Sequence, residues 1–159
     1  MASYQFASYS LADYALVLKV EDTALQAALG LSTDTVRIGG EGQFMGKITV
    51  KFTTPQWSTK ADATGAWVHS RSFDQSGEVN VSINQMSDAV IRFIRIVEAY
   101  YSSIDIRAGF TLTISKTSDV SFSVACEDCR VVKIPDQVHD KEAQEQEWAI
   151  NSGRIIVNA

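Results

Sequence analysis

Two hydrophobic periods meet in residues 76–103, SGEVNVSINQMSDAVIRFIRIVEAYYSS. Val79, Val81 and Ile83 alternate with Glu78, Asn80 and Ser82, the period-two pattern of a strand buried on one side and wet on the other. Asn84 and Gln85 break the alternation, and Ser87 with Asp88 supplies an N-cap and a first-turn acid, so the spacing predicts a helix over residues 88–101. At about 100° per residue, Val90, Phe93, Ile94, Val97, Tyr100 and Tyr101 fall on one side of that helix. Asp88, Arg92, Arg95 and Ala99 fall opposite, and Ile91 and Ile96 flank the stripe. The apolar arc of about 220° exceeds the roughly 100° that packing on one core requires. Two arrangements account for the surplus: contact with another copy of the chain, or a helix tucked between a sheet and a long loop.

Similar alternation marks out a mainly β chain. ALVLKV at residues 15–20 is a first strand, and TALQAALGL at 23–31 reads equally as a short helix or as an apolar loop ending near Gly30. Gly39, Gly40 and Gly42 punctuate the chain as a turn; no Gly-Lys-Ser/Thr follows, so they do not form a phosphate loop. Ile48, Val50 and Phe52 alternate with Lys47, Thr49 and Lys51 in a strand that Thr54 and Pro55 stop. Residues 57–61 and 66–72 flank Asp62-Ala63-Thr64-Gly65, which has the Asp and Gly of a hairpin turn.

Beyond the helix, Phe110, Leu112 and Ile114 alternate with Thr111, Thr113 and Ser115, and Val120, Phe122 and Val124 alternate with Ser121 and Ser123. This is a hairpin with one hydroxyl-lined face. Residues 130–134 read as a further strand halted by Pro135, and the polar stretch 136–147 as a solvated acidic loop feeding a strand at 147–150. Asn151-Ser152-Gly153 then turns the chain into a closing strand at 154–157. The total is about nine strands and one helix without an internal repeat, which predicts a mainly β (α+β) fold: a β-sandwich or barrel with one flanking α-helix. Residues 1–159 form a single domain, with 1–13 as an N-terminal arm.

Composition narrows the function. The 45% hydrophobic and 21% charged content is that of an ordinary globular chain. No run approaches the roughly 18 apolar residues of a spanning helix, so no membrane insertion is expected. The N-terminus lacks the basic n-region of a secretory signal, and the product is expected to stay where it is made. Fourteen Lys and Arg against nineteen Asp and Glu give a net charge of −5, which disfavours gripping nucleic acid through its phosphates.

Candidate chemistry is sparse. Cys126 and Cys129 form a lone Cys-x-x-Cys in an alternating strand, where the two thiols would point to opposite faces, and no second pair completes a zinc site. Neither His69 nor His139 has the i, i+4 partner of a helical metal pair. Asp136, Asp140, Glu142, Glu145 and Glu147 lack the spacing of a calcium loop, and no Gly-x-Ser-x-Gly elbow is present. The expectation is a non-enzyme without cofactor or metal. Strands with one polar face and a helix with surplus apolar surface fit a self-assembling protein; a monomeric β-sandwich binding glycans through Trp57 or Trp67 is the alternative from another class.

Several segments carry a resemblance. They are SYSLAD at residues 8–13 before the first strand, GKITV at 46–50, WVHS at 67–70, SGEVNVSI at 76–83 leading into a helix, and EWAI at 147–150 ahead of a short closing strand. In order and pattern the chain resembles the tail tube proteins of tailed bacteriophages, particularly contractile-tailed ones. The resemblance implies hexameric rings stacked into a hollow tube that conducts the genome into the host. The implied partners are other copies of the chain, tail sheath, baseplate hub, tape-measure and tail-terminator proteins, and double-stranded DNA in transit without sequence-specific binding. The implied location is the virion tail, assembled in the host cytoplasm. The inner tube of a type VI secretion or contractile injection system shares the same fold and is the nearer alternative.

Residue roles follow from that assembly. Six copies carry about −30, and a wall poor in phosphate anchors lets a duplex slide. Glu78, Asn80, Ser82 and Thr49 are expected to face the lumen, with Lys47 and Lys51 tolerable there only beside acidic neighbours. Ile91, Ile96 and Tyr100 are expected to pack between subunits, and Asp62, Thr64, Asp140, Glu145 and Glu147 to take part in ring stacking.

Overall fold

A computed structural model describes residues 14–30, 35–39, 45–102, 108–116 and 119–158. The N-terminal arm expected at 1–13 lies outside these residues. Nine strands and two helices follow one another as β1 (Tyr14–Lys19), α1 (Thr23–Leu29), β2 (Thr35–Gly39), β3 (Met45–Phe52), β4 (Trp57–Ala61), β5 (Trp67–Arg71), β6 (Gly77–Asn84), α2 (Asp88–Ser102), β7 (Phe110–Lys116), β8 (Asp119–Val131) and β9 (Glu145–Asn158). Seven strands form one antiparallel sheet in the order β2-β1-β7-β8-β9-β6-β3, while β4 and β5 pair only with each other. Among the described residues the chain is mainly β, as its alternation predicts, although β2 is not among the expected strands.

Alternation decides which face is dry. On β6, Val79, Val81 and Ile83 are buried while Glu78, Asn80 and Ser82 are half-exposed on the reverse. Leu16 and Leu18 of β1, Phe110, Leu112 and Ile114 of β7, Val124 and Cys126 of β8, and Trp148, Ile150 and Ile155 of β9 join the same inner face. No second sheet covers this face among the described residues; α1 and α2 do. Helix α2 packs on β2 at one edge of the sheet and on β6 near the other, so the sheet must curl around it. Phe93 on α2 and Trp148 on β9 stack with ring centroids 5.4 Å apart, and both are fully buried.

The ambiguous segment after β1 is helical because both ends are capped. Asp22 Oδ1 accepts from the amides of Ala24 at 2.9 Å and Leu25 at 3.4 Å, and Gly30 closes the helix at φ 68°, a conformation glycine adopts without steric cost. Ser87 caps α2, accepting from the Ala89 amide at 3.3 Å. The surplus apolar arc of α2 is partly absorbed by the chain's own core: Ala89, Val90, Phe93, Ile96, Val97 and Ala99 are buried. Ala99, expected opposite the stripe, faces inward against the rest of the fold, and Tyr101, expected on the stripe, is 84% exposed.

Three boundaries differ from the sequence expectation for one physical reason. Of the strand expected at 130–134 only Arg130 and Val131 are strand, as the end of β8, and the strands expected at 147–150 and 154–157 are a single β9. Asn151-Ser152-Gly153 does not turn the chain; Glu127 pairs with Arg154 and Cys129 with Ser152, so Asp128 and Gly153 face each other as an irregularity inside a continuous ladder. Asp128 adopts φ 51°, which resets the alternation of β8. The expectation that Cys126 and Cys129 point to opposite faces is therefore corrected: both are buried, at 0% exposure.

Candidate assembly surfaces

The outer face of β3, β6 and β9 is a polar wall. Antiparallel pairing sets Thr49 opposite Asn80, Lys51 opposite Glu78, and Ser82 opposite Glu147. Lys47, Thr49, Lys51, Asn80, Ser82, Glu145 and Glu147 line one shallow trough, and the Ser82 hydroxyl donates to Glu145 Oε2 at 3.1 Å. All four residues expected to face a lumen thus lie on one face of one sheet. Two of the residues expected in ring stacking, Glu145 and Glu147, lie there too, because β9 begins at Glu145 rather than after the acidic loop. Lys47 and Lys51 are consequently among three carboxylates, those of Glu78, Glu145 and Glu147.

The outward side of α2 is a second surface. Ile91 is 51% exposed and borders a depression with Leu29, Asp88, Arg92 and Arg95. Ile96 is fully buried in the chain's own core, so its expected role between subunits is corrected: it has no surface left to offer. Tyr100 is half-buried and donates its hydroxyl to the Ala108 carbonyl at 2.6 Å. Burial raises its pKa above the ordinary value, partly opposed by the Arg130 guanidinium, which lies 6.0 Å from the ring.

The β4–β5 hairpin is the third surface, and every residue of both strands is exposed. Its tip is held locally. Asp62 Oδ1 accepts from the Thr64 amide at 2.8 Å, the Thr64 hydroxyl at 2.6 Å and the Ala66 amide at 3.1 Å, and Gly65 sits at φ 89°. The Thr64 hydroxyl and amide hold the Asp62 carboxyl below its usual range. Asp74 does the same work at the base, accepting from the Ser76 hydroxyl at 2.6 Å, the Ser76 amide at 3.0 Å and the Thr54 hydroxyl at 2.7 Å. These bonds bring its pKa down to about 2. Gly77, where the hairpin rejoins the sheet, admits no side chain, since a Cβ there would collide with the Lys51 carbonyl oxygen.

One constellation escaped the sequence reading. Register sets Trp57 opposite Arg71 and Ala61 opposite Trp67, so both tryptophans share a hairpin face with Arg71. The guanidinium stands 4.8 Å from the Phe73 ring centroid and 5.7 Å from that of Trp57. Counting back symmetrically from the Asp62–Gly65 turn would instead pair Trp57 with Ser70, one residue away from the observed register. The buried thiols, by contrast, offer no reactive site: burial raises Cys126 to about 12 and Cys129 to about 11, far above the range of a nucleophilic thiolate. Among the described residues no group of three His, Cys, Asp or Glu is placed to hold a metal, and no helix is long and apolar enough to cross a membrane.

Residues 17–158 match the family model described as Bacteriophage PhiTE tail tube protein. No curated protein matches the sequence. The fold is similar to the sheath/tube terminator of an extracellular contractile injection system, PVC, in its extended state (TM-score 0.56, 13% identity, covering 100% of both chains). It is also similar to the anti-feeding prophage cap, the AFP tube terminating cap (TM-score 0.54, 12% identity, 100% of this chain and 96% of that one). A chain of the PVC sheath-tube complex aligns at TM-score 0.50 and 12% identity over 91% of this chain and 88% of that one. At these identities the likeness is one of fold.

Proposed function

This chain belongs to the bacteriophage PhiTE tail tube protein family, and from that premise we propose that its copies close into hexameric rings that stack into the inner tube of the tail and conduct the genome. Its role is structural, in the virion tail. The observation that carries the finer reading is the polar wall. Thr49, Glu78, Asn80 and Ser82 share the face opposite the buried one, and we assign that face to the lumen. Lys47 and Lys51 lie there among Glu78, Glu145 and Glu147, so the wall offers phosphate no unopposed cation cluster and repels it weakly overall. Double-stranded DNA then passes without sequence-specific contact.

Ring closure has a physical motive. Among the described residues, β2 and β3 stand at the two edges of the seven-stranded sheet, and sheet edges invite pairing with another chain unless covered. Joining β3 of one copy to the sheet of the next, with Ile91 and Tyr100 at the subunit boundary, satisfies those groups around a closed ring. Stacking falls to the hairpin tip at Asp62 and Thr64 and to Asp140 in the acidic loop. Glu145 and Glu147 fit the wall better than the stack. The outside of the tube is left for the sheath, the relation that one structural neighbour's description records for that complex.

Negative-stain microscopy of the purified chain tests the reading. Rings or filaments about 80–100 Å wide are expected for six domains of this size. A chain that stays monomeric at high concentration and is missing from assembled virion tails would overturn it.

A further inference from the structure

Hairpin β4–β5 and the acidic segment that follows Gln137, whose side chain bonds Gln146, lie at opposite ends of the same strands. The hairpin leaves the sheet where Phe52 pairs with Gly77, whereas the loop enters it where Glu145 pairs with Asn84. The eight residues of β6 separate those ends by about 23 Å at roughly 3.3 Å per residue. A contact between them within one copy is excluded by this geometry, while a contact between successive copies is head-to-tail. Such a contact propagates along an axis wherever its rotation does not close a ring.

The two ends are chemically complementary. On the hairpin, Asp62 Oδ1 and both carboxylate oxygens of Asp74 are committed to neighbouring hydroxyls and amides, but no carboxylate pairs with Lys60 or Arg71 among the described residues. Arg71 is held over Trp57 and Phe73, and a cleft of about 430 Å³ lined by Phe52, Pro55, Arg71 and Phe73 opens beside it. Trp67, Val68 and Phe73 are 66%, 67% and 78% exposed. Arginine flanked by aromatic rings is the residue chemistry that dominates binding energy at protein interfaces. On the loop, Asp136, Asp140 and Glu142 have no ion-pair partner among the described residues, and Val132 and Val138, each 52% exposed, supply apolar surface beside them.

We propose that, within the stacked tube inferred above and resting on it, the Trp57–Arg71–Phe73 clamp of one copy receives the acidic segment 136–142 of the next, with one carboxylate of that segment pairing with Arg71. A two-stranded hairpin alone is marginal in water; docking gives it the third surface it lacks. One buried cation near the hairpin base then joins the hairpin tip in setting the register of the stack.

Charge exchange tests this on the full chain, read by pelleting and electron microscopy, with monomer melting as the control for folding. R71E alone, and D136K/D140K/E142K alone, are each expected to raise the critical concentration for tube growth on the order of tenfold or more while melting is unchanged. Combining all four changes is expected to restore growth to within about threefold of the unmodified chain. Normal growth of both parents, or two defects that fail to compensate, overturns the pairing while leaving the tube reading intact. If the unmodified chain forms neither rings nor tubes, both fall together. Binding of a glycan that is lost in W57A or W67A with growth unaffected also overturns it, and gives the aromatic face to a carbohydrate instead.

Discussion

The curled sheet and the β4–β5 hairpin are built from the same residue types, yet only the sheet completes its own burial. Trp148 on β9 is fully buried against Phe93, whereas Trp57 and Trp67 are 54% and 66% exposed. The difference is one of layers. Each central strand of the sheet has two strand neighbours and a helical layer on its inner face, while among the described residues each hairpin strand has one neighbour and no covering layer. A lone hairpin cannot bury its apolar residues in this way. The body is therefore a self-sufficient fold, and the hairpin is an element whose stabilisation is deferred to assembly.

The largest effect that separates the two regions is a core truncation. Trp148→Ala removes the largest fully buried side chain and leaves a cavity beneath α2, for an expected loss of about 3–5 kcal/mol. That is a large fraction of a typical domain's stability, and chemical denaturation of the monomer reads it directly. Trp67→Ala makes the same chemical change on the hairpin and is expected to alter monomer stability by no more than about 0.5 kcal/mol, while tube growth falls markedly. Equal losses at both positions would erase the distinction between a finished body and an unfinished arm.

What the sequence made legible follows the same division. Strict alternation on β6 and β7 announced both their type and their buried faces, because a half-buried strand must present apolar residues every second position. The polar wall was legible residue by residue at Thr49, Glu78, Asn80 and Ser82. Its completion by Glu145 and Glu147 was not, since nothing local shows that β9 begins ahead of Glu147. The common fate of Cys126 and Cys129 was hidden for a sharper reason: a single positive φ at Asp128 inverts the facing of everything after it. Ile96 was misplaced because the helical arc shows how much apolar surface exists, not which part the chain's own sheet and α1 cover. The Arg71 clamp was hidden because the hairpin closes with Ala61 opposite Trp67, one residue away from the register that symmetric counting from the turn gives.

The smallest effect sharpens the comparison at the junction between the two regions. Asp74 ties the hairpin base to the strand ends through Thr54 and Ser76, and hydrogen bonds from the Ser76 hydroxyl, the Thr54 hydroxyl and the Ser76 amide lower its pKa from 3.8 to about 2. The folded state thus favours the carboxylate, so the stabilisation is fully present above the ordinary carboxyl range and is lost as pH falls from about 4 to about 2. Amide protection at Ser76, followed by NMR, is expected to stay constant from neutral pH down to about 5 and then decline through that window. Asp74→Asn, which has no carboxylate to lose, should start lower and stay flat. The β6–β9 amides are expected to outlast the hairpin base through the same descent, because they bond to backbone carbonyls across the ladder rather than to a carboxylate. If the β6–β9 protection declined in step with Ser76, the two regions would be one cooperative unit, and the hairpin would not be the separate, assembly-dependent element that its exposed tryptophans describe.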